Sequence, residues 1–180
     1  RWHSVTGVQT CALPIFLAAT NTSLIEISFV DGQGYTVSMN GTPVATGIGN
    51  VIMVTGTFAA PAGTTTPGFR VIVSSTDPNE PLFLLLDNFS VTQSYVTTWS
   101  TDLCNPINID RNSEVVLQYS GTNAITTTHS DSAIIRVADT GGGNVATLWL
   151  QGMENASLSL TRNNYGKGDY DTYRHAGGAG

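Results

Sequence analysis

The feature that most constrains the fold of this chain is the periodicity of its apolar residues. No window of about 12 residues keeps the 3.6-residue apolar repeat of an amphipathic helix, whereas short runs in which apolar and polar residues alternate recur throughout. In one of these runs, Ile25, Ile27 and Phe29 are separated by polar neighbours. Such alternation sends successive side chains to opposite faces of a strand. The sequence therefore predicts an all-β protein with essentially no α-helix.

Turn-forming residues separate these runs. The segment 31–34, Asp-Gly-Gln-Gly, lies between the first two runs and indicates an antiparallel hairpin with one solvent-exposed face. The run Leu82–Leu86 is apolar at every position, which favours a central strand covered on both faces. Further strands are expected at 51–58, 69–73, 115–119, 125–128, 133–138, 147–151 and 157–161.

These patterns divide the chain into five segments. Residues 1–15 resemble the translation of a sequencing adapter and are expected to be non-native. Residues 16–93 are expected to form a truncated β-sandwich, and residues 94–101 a linker without clear pattern. Residues 102–162 are predicted to form a second β-rich module. Residues 163–180, which lack periodicity, are predicted to be a disordered or truncated tail.

A weak internal similarity joins the two predicted modules. Residues 87–92 and 154–159 share the pattern acid, Asn, any residue, Ser and apolar, each after an apolar strand. Two related sandwiches in tandem would explain this similarity.

Charge and apolar length exclude two classes of partner. The chain has 13 acidic residues against seven basic ones and a formal net charge of −6. A nucleic-acid groove needs clustered Lys and Arg, so no nucleic-acid partner is expected. The longest apolar run, residues 82–86, is far shorter than the ~20 residues that cross a bilayer, so no membrane span is expected either. Outside the adapter-like segment Cys104 is the only cysteine, which leaves no intrachain disulfide.

Sequence motifs of known catalytic sites are missing. The chain has no nucleophile elbow, no zinc-protease motif and no phosphate-binding loop. His129, Ser130 and Asp131 are adjacent on a turn and cannot supply triad geometry by themselves. No spacing singles out a pair of carboxylates for glycoside hydrolysis. The chain is therefore expected not to be an enzyme.

Two motifs in the first half of the chain support a family resemblance. They are Thr-Phe-Ala-Ala-Pro at 57–61 and Leu-Asp-Asn-Phe-Ser-Val at 86–91. With the strand at 35–39, they make residues 24–93 similar to a jelly-roll carbohydrate-binding module of the galactose-binding-like type. The resemblance implies an antiparallel, jelly-roll-like β-sandwich, one of two small modules, and a protein that binds a glycan or polysaccharide.

The resemblance also implies site residues. In that family the acid of the last strand often helps to hold a structural Ca²⁺, which assigns this role to Asp87; a simple turn hydrogen bond is the alternative. Sugar binding needs exposed aromatic faces, and the candidates are Trp149 and Tyr35. Trp149 alternates with Leu148 and Leu150 and is the candidate to face outward, although large aromatic side chains of β-sandwiches lie more often in the core. Tyr35 shares a face with Val37 and Met39, which favours a core position.

The expected function is therefore that of a non-catalytic, carbohydrate-binding fragment of a larger extracellular, cell-surface or virion protein, attached to other domains. Two alternatives stay open. In the first, the chain is a structural spacer of a phage tail or bacterial surface protein. In the second, it is an accessory module of a glycoside hydrolase.

Overall fold

A computed structural model of the chain describes residues 19–59, 68–93, 105–127, 133–138 and 145–162. Every regular element in these ranges is a β-strand, and none of them contains a helix. The all-β part of the prediction is thus confirmed. The predicted adapter segment 1–15, linker 94–101 and tail 163–180 lie outside the described residues.

The strands in chain order are β1 (Leu24–Val30), β2 (Gly34–Met39), β3 (Thr42–Ile48), β4 (Val51–Ala59), β5 (Arg70–Val73), β6 (Leu82–Gln93), β7 (Ile107–Ile109), β8 (Glu114–Ser120), β9 (Thr122–Thr127), β10 (Ile135–Val137), β11 (Thr147–Gly152) and β12 (Ser157–Arg162).

The strands form two sheets, both largely parallel. Sheet A has the order β10-β7-β5-β1-β2-β3, and within it only the hairpins β1-β2 and β2-β3 are antiparallel. In sheet B, β6 pairs with β4 on one side and with β8 and β9, placed end to end, on the other. β11 then pairs with β8, and β12 with β9. Every pairing in sheet B is parallel.

This topology is a solenoid in which the chain passes alternately through the two sheets. Coil 1 contains β1 to β4, coil 2 contains β5 and β6, coil 3 contains β7 to β9, and coil 4 contains β10 to β12. Residues stacked on neighbouring coils of sheet B are 32 to 35 positions apart. The spacing is 33 from β6 to β8 and from β8 to β11, as in the pairs Asp87–Ser120 and Gln118–Gln151. Each coil thus pairs its strands edge to edge with those of the next, as in other repeat architectures.

The prediction of an antiparallel, jelly-roll-like sandwich is wrong. Alternation of apolar and polar residues says which way side chains point, but not which strand lies beside which, or in what direction. Here the neighbour of a sheet B strand is the equivalent strand of the next coil, so the pairing is parallel. β6 of the first predicted module pairs with β8 and β9 of the second, so strands of both predicted modules share one sheet.

The space between the two sheets is filled by stacked rows of aliphatic side chains. Ile25, Val71 and Ile107 form such a row in sheet A and are at most 1% exposed. In sheet B, Leu84 and Leu117 are fully buried neighbours. Where the coil turns, three phenylalanines pack together, and two of their rings stack with centroids 4.0 Å apart: Phe58, Phe69 and Phe89. One core therefore runs through the described coils.

The long strands of sheet B bend at a similar place in each coil. Each bend contains a residue with left-handed backbone: Gly56 (φ 118°), Asn88 (φ 47°), Gly121 (φ 67°) and Asn155 (φ 60°). Glycine and asparagine are the residues that take this conformation most readily. The internal similarity around Asn88 and Asn155 thus corresponds to a bend that recurs in coils 2 and 4.

Candidate functional site

Among the described residues, the outer side of sheet B is the surface that combines an exposed tryptophan with carboxylate and amide side chains. Alternate residues of β4, β6, β8 and β11 face the core, and the residues between them face away from it. We call the latter set the outer face. It consists of Val51, Met53, Thr55, Phe83, Leu85, Asp87, Glu114, Val116, Gln118, Ser120, Thr147, Trp149 and Gln151.

An apolar row crosses the outer face from coil 1 to coil 4. The parallel register places Val51, Phe83, Val116 and Trp149 side by side. The first three are half-buried, whereas the Trp149 side chain is 57% exposed. Neighbouring strands are about 4.8 Å apart, so the row from Phe83 to Trp149 is about 10 Å long.

The Trp149 indole is held by a carboxylate of the adjacent strand. Its Nε1–H group donates a hydrogen bond of 3.2 Å to Oε1 of Glu114. Glu114 is the register partner of Thr147, two residues before the tryptophan. This bond fixes one edge of the indole and leaves much of its ring accessible. The structure thus places Trp149 outward, while Leu148 packs against the core.

A second row on the outer face changes from apolar to polar along the solenoid. It contains Met53, Leu85, Gln118 and Gln151 in register. Gln118 donates an amide hydrogen bond of 2.9 Å to Gln151. Gln151 is exposed, so its own amide donors lie at the surface on the same strand as Trp149.

Asp87 lies on the same face, at the end next to the bend. Its Oδ1 atom accepts hydrogen bonds from Ser120 Oγ at 2.6 Å and from Asn88 Nδ2 at 3.2 Å. Calcium needs six to eight oxygen ligands, commonly from several carboxylates. No group of three His, Cys, Asp or Glu side chains occurs among the described residues. In the part of the chain that the structure describes, Asp87 thus makes the hydrogen bonds of the alternative interpretation, and a Ca²⁺ ion at Asp87 stays a prediction.

Asp87 and Glu114 are too far apart to act as a glycosidase pair. Asp87 is the register partner of Ser120, and Ser120 is six residues from Glu114 along β8. At about 3.3 Å per residue this separates the two positions by about 20 Å. Glycoside hydrolysis requires carboxylates about 5–9.5 Å apart. The outer face therefore offers these acids as separate hydrogen-bonding groups.

Tyr35, the other predicted sugar-binding residue, lies in the core. Its side chain is 2% exposed and its ring packs against Phe29. Its hydroxyl oxygen accepts a hydrogen bond of 3.0 Å from the backbone N–H of Asp77. Burial, aided by the negative charges of Asp77 and Glu80, raises the pKa of this hydroxyl, and the bond from Asp77 N–H opposes the rise. The ring has no open face, so Tyr35 is not part of the outer face.

The structure therefore brings two of the three predicted site residues, Trp149 and Asp87, to one surface. Sequence reasoning missed their companions Phe83, Glu114 and Gln151. One signal was available, because the run 82–86 is apolar at every position. Three residues of that run face the core, and the other two, Phe83 and Leu85, lie half-buried on the outer face instead of under a second layer.

No known protein family, curated protein or solved structure matches the chain. Within the described ranges, no helix has the length and apolarity to cross a membrane.

Proposed function

We propose that the chain is a non-catalytic glycan-binding module, and that sugar rings stack on Trp149 at the outer face of sheet B. The observation that carries this proposal is the 57% exposed indole, held at one edge by Glu114. A large aromatic side chain on the outside of a strand gains nothing from the core. A ligand that covers its face would bury a substantial apolar area.

The groups around Trp149 suit a sugar in particular. A pyranose ring has apolar C–H faces and a rim of hydroxyl groups that both donate and accept hydrogen bonds. The indole offers a flat surface for the C–H face, and the amides of Gln118 and Gln151 supply donors and acceptors for the rim. The apolar row, about 10 Å from Phe83 to Trp149, is long enough for more than one ring of a chain.

The proposal includes the location and the attached domains that the sequence predicts. A glycan-binding surface suits an extracellular, cell-surface or virion protein in which other domains carry further activities. The wide separation of Asp87 and Glu114 supports binding without hydrolysis at this face.

A structural spacer is the second candidate. Its support is the continuous core, in which each coil covers the next without a break in the described part of sheet B. A spacer needs only this stacking, so its outer face would bind no glycan.

Affinity gel electrophoresis with neutral polysaccharides tests the proposal. The panel contains galactan, galactomannan, xyloglucan and hydroxyethylcellulose, each cast into a native gel. We expect at least one to retard the protein, and Trp149→Ala to abolish that retardation because the stacking surface is lost. Leu150→Ala is the matched control, since Leu150 is the next residue, is 47% exposed and has the opposite facing.

Retardation that survives in Trp149→Ala, or is lost equally in Leu150→Ala, would contradict a site on the outer face. No retardation by any polysaccharide of the panel would contradict glycan binding and favour the spacer.

A further inference from the structure

We propose that the outer face selects neutral glycans and rejects acidic ones such as polyuronates. This inference rests on the proposed function and specifies the chemical class of its ligand. It follows from the charges that surround Trp149.

The charged residues of the outer face are both acids. Among its thirteen members, Glu114 and Asp87 are carboxylates and none is a lysine or arginine. Glu114 contacts the indole directly, since its Oε1 accepts the Nε1–H bond. Any ring stacked on Trp149 therefore lies close to a negative charge.

The described outward positions of sheet B beyond the bend carry no cation, and Arg162 at the end of β12 is in register with the buried Thr127, not with an outward residue. The outward residues there are hydroxyl-bearing or small, namely Thr57, Ser90, Thr92, Ala124, Thr126, Ser159 and Thr161.

Among the described arginines, the two nearest to Glu114 in sequence are not members of the outer face. Arg111 lies in the turn before β8, next to Asp110 in the chain. Arg136 belongs to sheet A and forms an ion pair of 3.6 Å with Asp110. A bound uronate thus has no described partner on the outer face for a charge-assisted bond of the kind that arginine makes to carboxylates.

Long-range electrostatics act in the same direction. The chain carries a formal net charge of −6, which repels polyanions at low ionic strength. The Debye length is about 10 Å at 0.1 M salt, so repulsion by Glu114 reaches a ring on Trp149, whereas repulsion by the whole chain is largely screened. Neutral hydroxyl groups escape this repulsion and can donate hydrogen bonds to the carboxylates.

The test compares polysaccharides that share a backbone and differ in charge. The pairs are hydroxyethylcellulose with carboxymethylcellulose, and galactan with polygalacturonate, studied with the whole chain by affinity electrophoresis at low and high salt. We expect the neutral member to bind at least about threefold more tightly at low salt, and the difference to shrink at high salt. Glu114→Gln keeps an acceptor for the indole N–H and should reduce the preference.

Each outcome decides a different claim. If the acidic member binds as tightly as the neutral one or more tightly, and Trp149→Ala abolishes that binding, the charge inference is wrong and the proposed function stands. If the preference is unchanged in Glu114→Gln and at high salt, its electrostatic origin is wrong. If no member of either pair, and none of the wider neutral panel, binds in a Trp149-dependent manner, the proposed function itself fails.

Discussion

At the scale of single residues, the bends of sheet B depend on residues that tolerate a left-handed backbone. Gly121 has φ +67°, and a Cβ atom placed on it would fall onto the Asn88 carboxamide. That carboxamide accepts a bond of 3.3 Å from the backbone N–H of Thr122. A side chain at position 121 would therefore strain the backbone and displace a group that links coils 2 and 3.

We predict that Gly121→Ala lowers the free energy of unfolding by about 2–4 kcal/mol, from backbone strain and the lost bond together. Gly32→Ala is the control, because Gly32 has φ +69° with nothing within 4 Å of the added Cβ. It should cost only the strain, about 1–2 kcal/mol. Urea unfolding of both variants measures the difference, and equal costs would show that the contact with Asn88 does not matter.

Tyr35 gives a second prediction at this scale, on pH dependence. Burial raises the pKa of its hydroxyl above the ordinary value of 10.0, so the folded state keeps the proton longer than the unfolded chain does. The stability that the protonated Tyr35 hydroxyl contributes is therefore fully present below pH 10, and it is lost as the pH rises through the raised pKa.

Tyr35→Phe should remove this alkaline loss. At neutral pH the variant should be about 1–2 kcal/mol less stable, because the Asp77 N–H loses its acceptor. Thermal unfolding of the wild type and the variant between pH 7 and 11 tests both effects. Parallel stability curves across that range would contradict this role of Tyr35.

At the scale of elements, one row of leucines shows how burial changes along the solenoid. Leu84, Leu117 and Leu150 are register partners on successive coils. The first two are fully buried, whereas Leu150 on coil 4 is 47% exposed. The same residue type at the same position of the coil therefore differs only in how many coils cover it.

We predict that Leu117→Ala costs about 2–5 kcal/mol and that Leu150→Ala costs about 1 kcal/mol or less. Chemical denaturation of the two variants is the measurement. A large cost at Leu150 would mean that other parts of the chain bury this position.

The strands could be located from the sequence, but their partners could not. Alternation predicted a strand at 51–58, and β4 spans Val51–Ala59. It also set Trp149 and Leu148 on opposite faces, but only the structure shows that Leu148 faces the core and Trp149 faces outward. The direction of each strand and the identity of its neighbour depend on the 33-residue register between coils. The six similar positions around Asn88 and Asn155 do not reveal that register. The companions of Trp149 come from other coils, so the same missing register hid Glu114 and Phe83. The calcium assignment of Asp87 relied on the resemblance alone and stays a prediction, since the structure shows only its hydrogen bonds to Ser120 and Asn88.

At the scale of the whole molecule, the solenoid predicts that both halves of the chain unfold together. β6 is paired on both sides, by β4 and by β8 with β9, whereas β12 pairs only with β9 in the described ranges. Amides of residues 82–93 and 114–127 should therefore exchange at one shared free energy of opening, and those of 157–162 at a lower one. Hydrogen exchange under increasing denaturant measures this. Separate unfolding of 82–93 and 114–127 would favour two independent modules and contradict the shared sheet.

The central claim is that a neutral glycan binds the outer face of sheet B at Trp149. Nuclear magnetic resonance of the labelled protein, titrated with a neutral oligosaccharide from the polymer that retards it, tests this claim most directly. The Trp149 indole N–H signal, assigned by its loss in Trp149→Phe, should shift together with amides of β8 and β11. Shifts confined to other strands, with the Trp149 indole signal unmoved at saturation, would contradict the account.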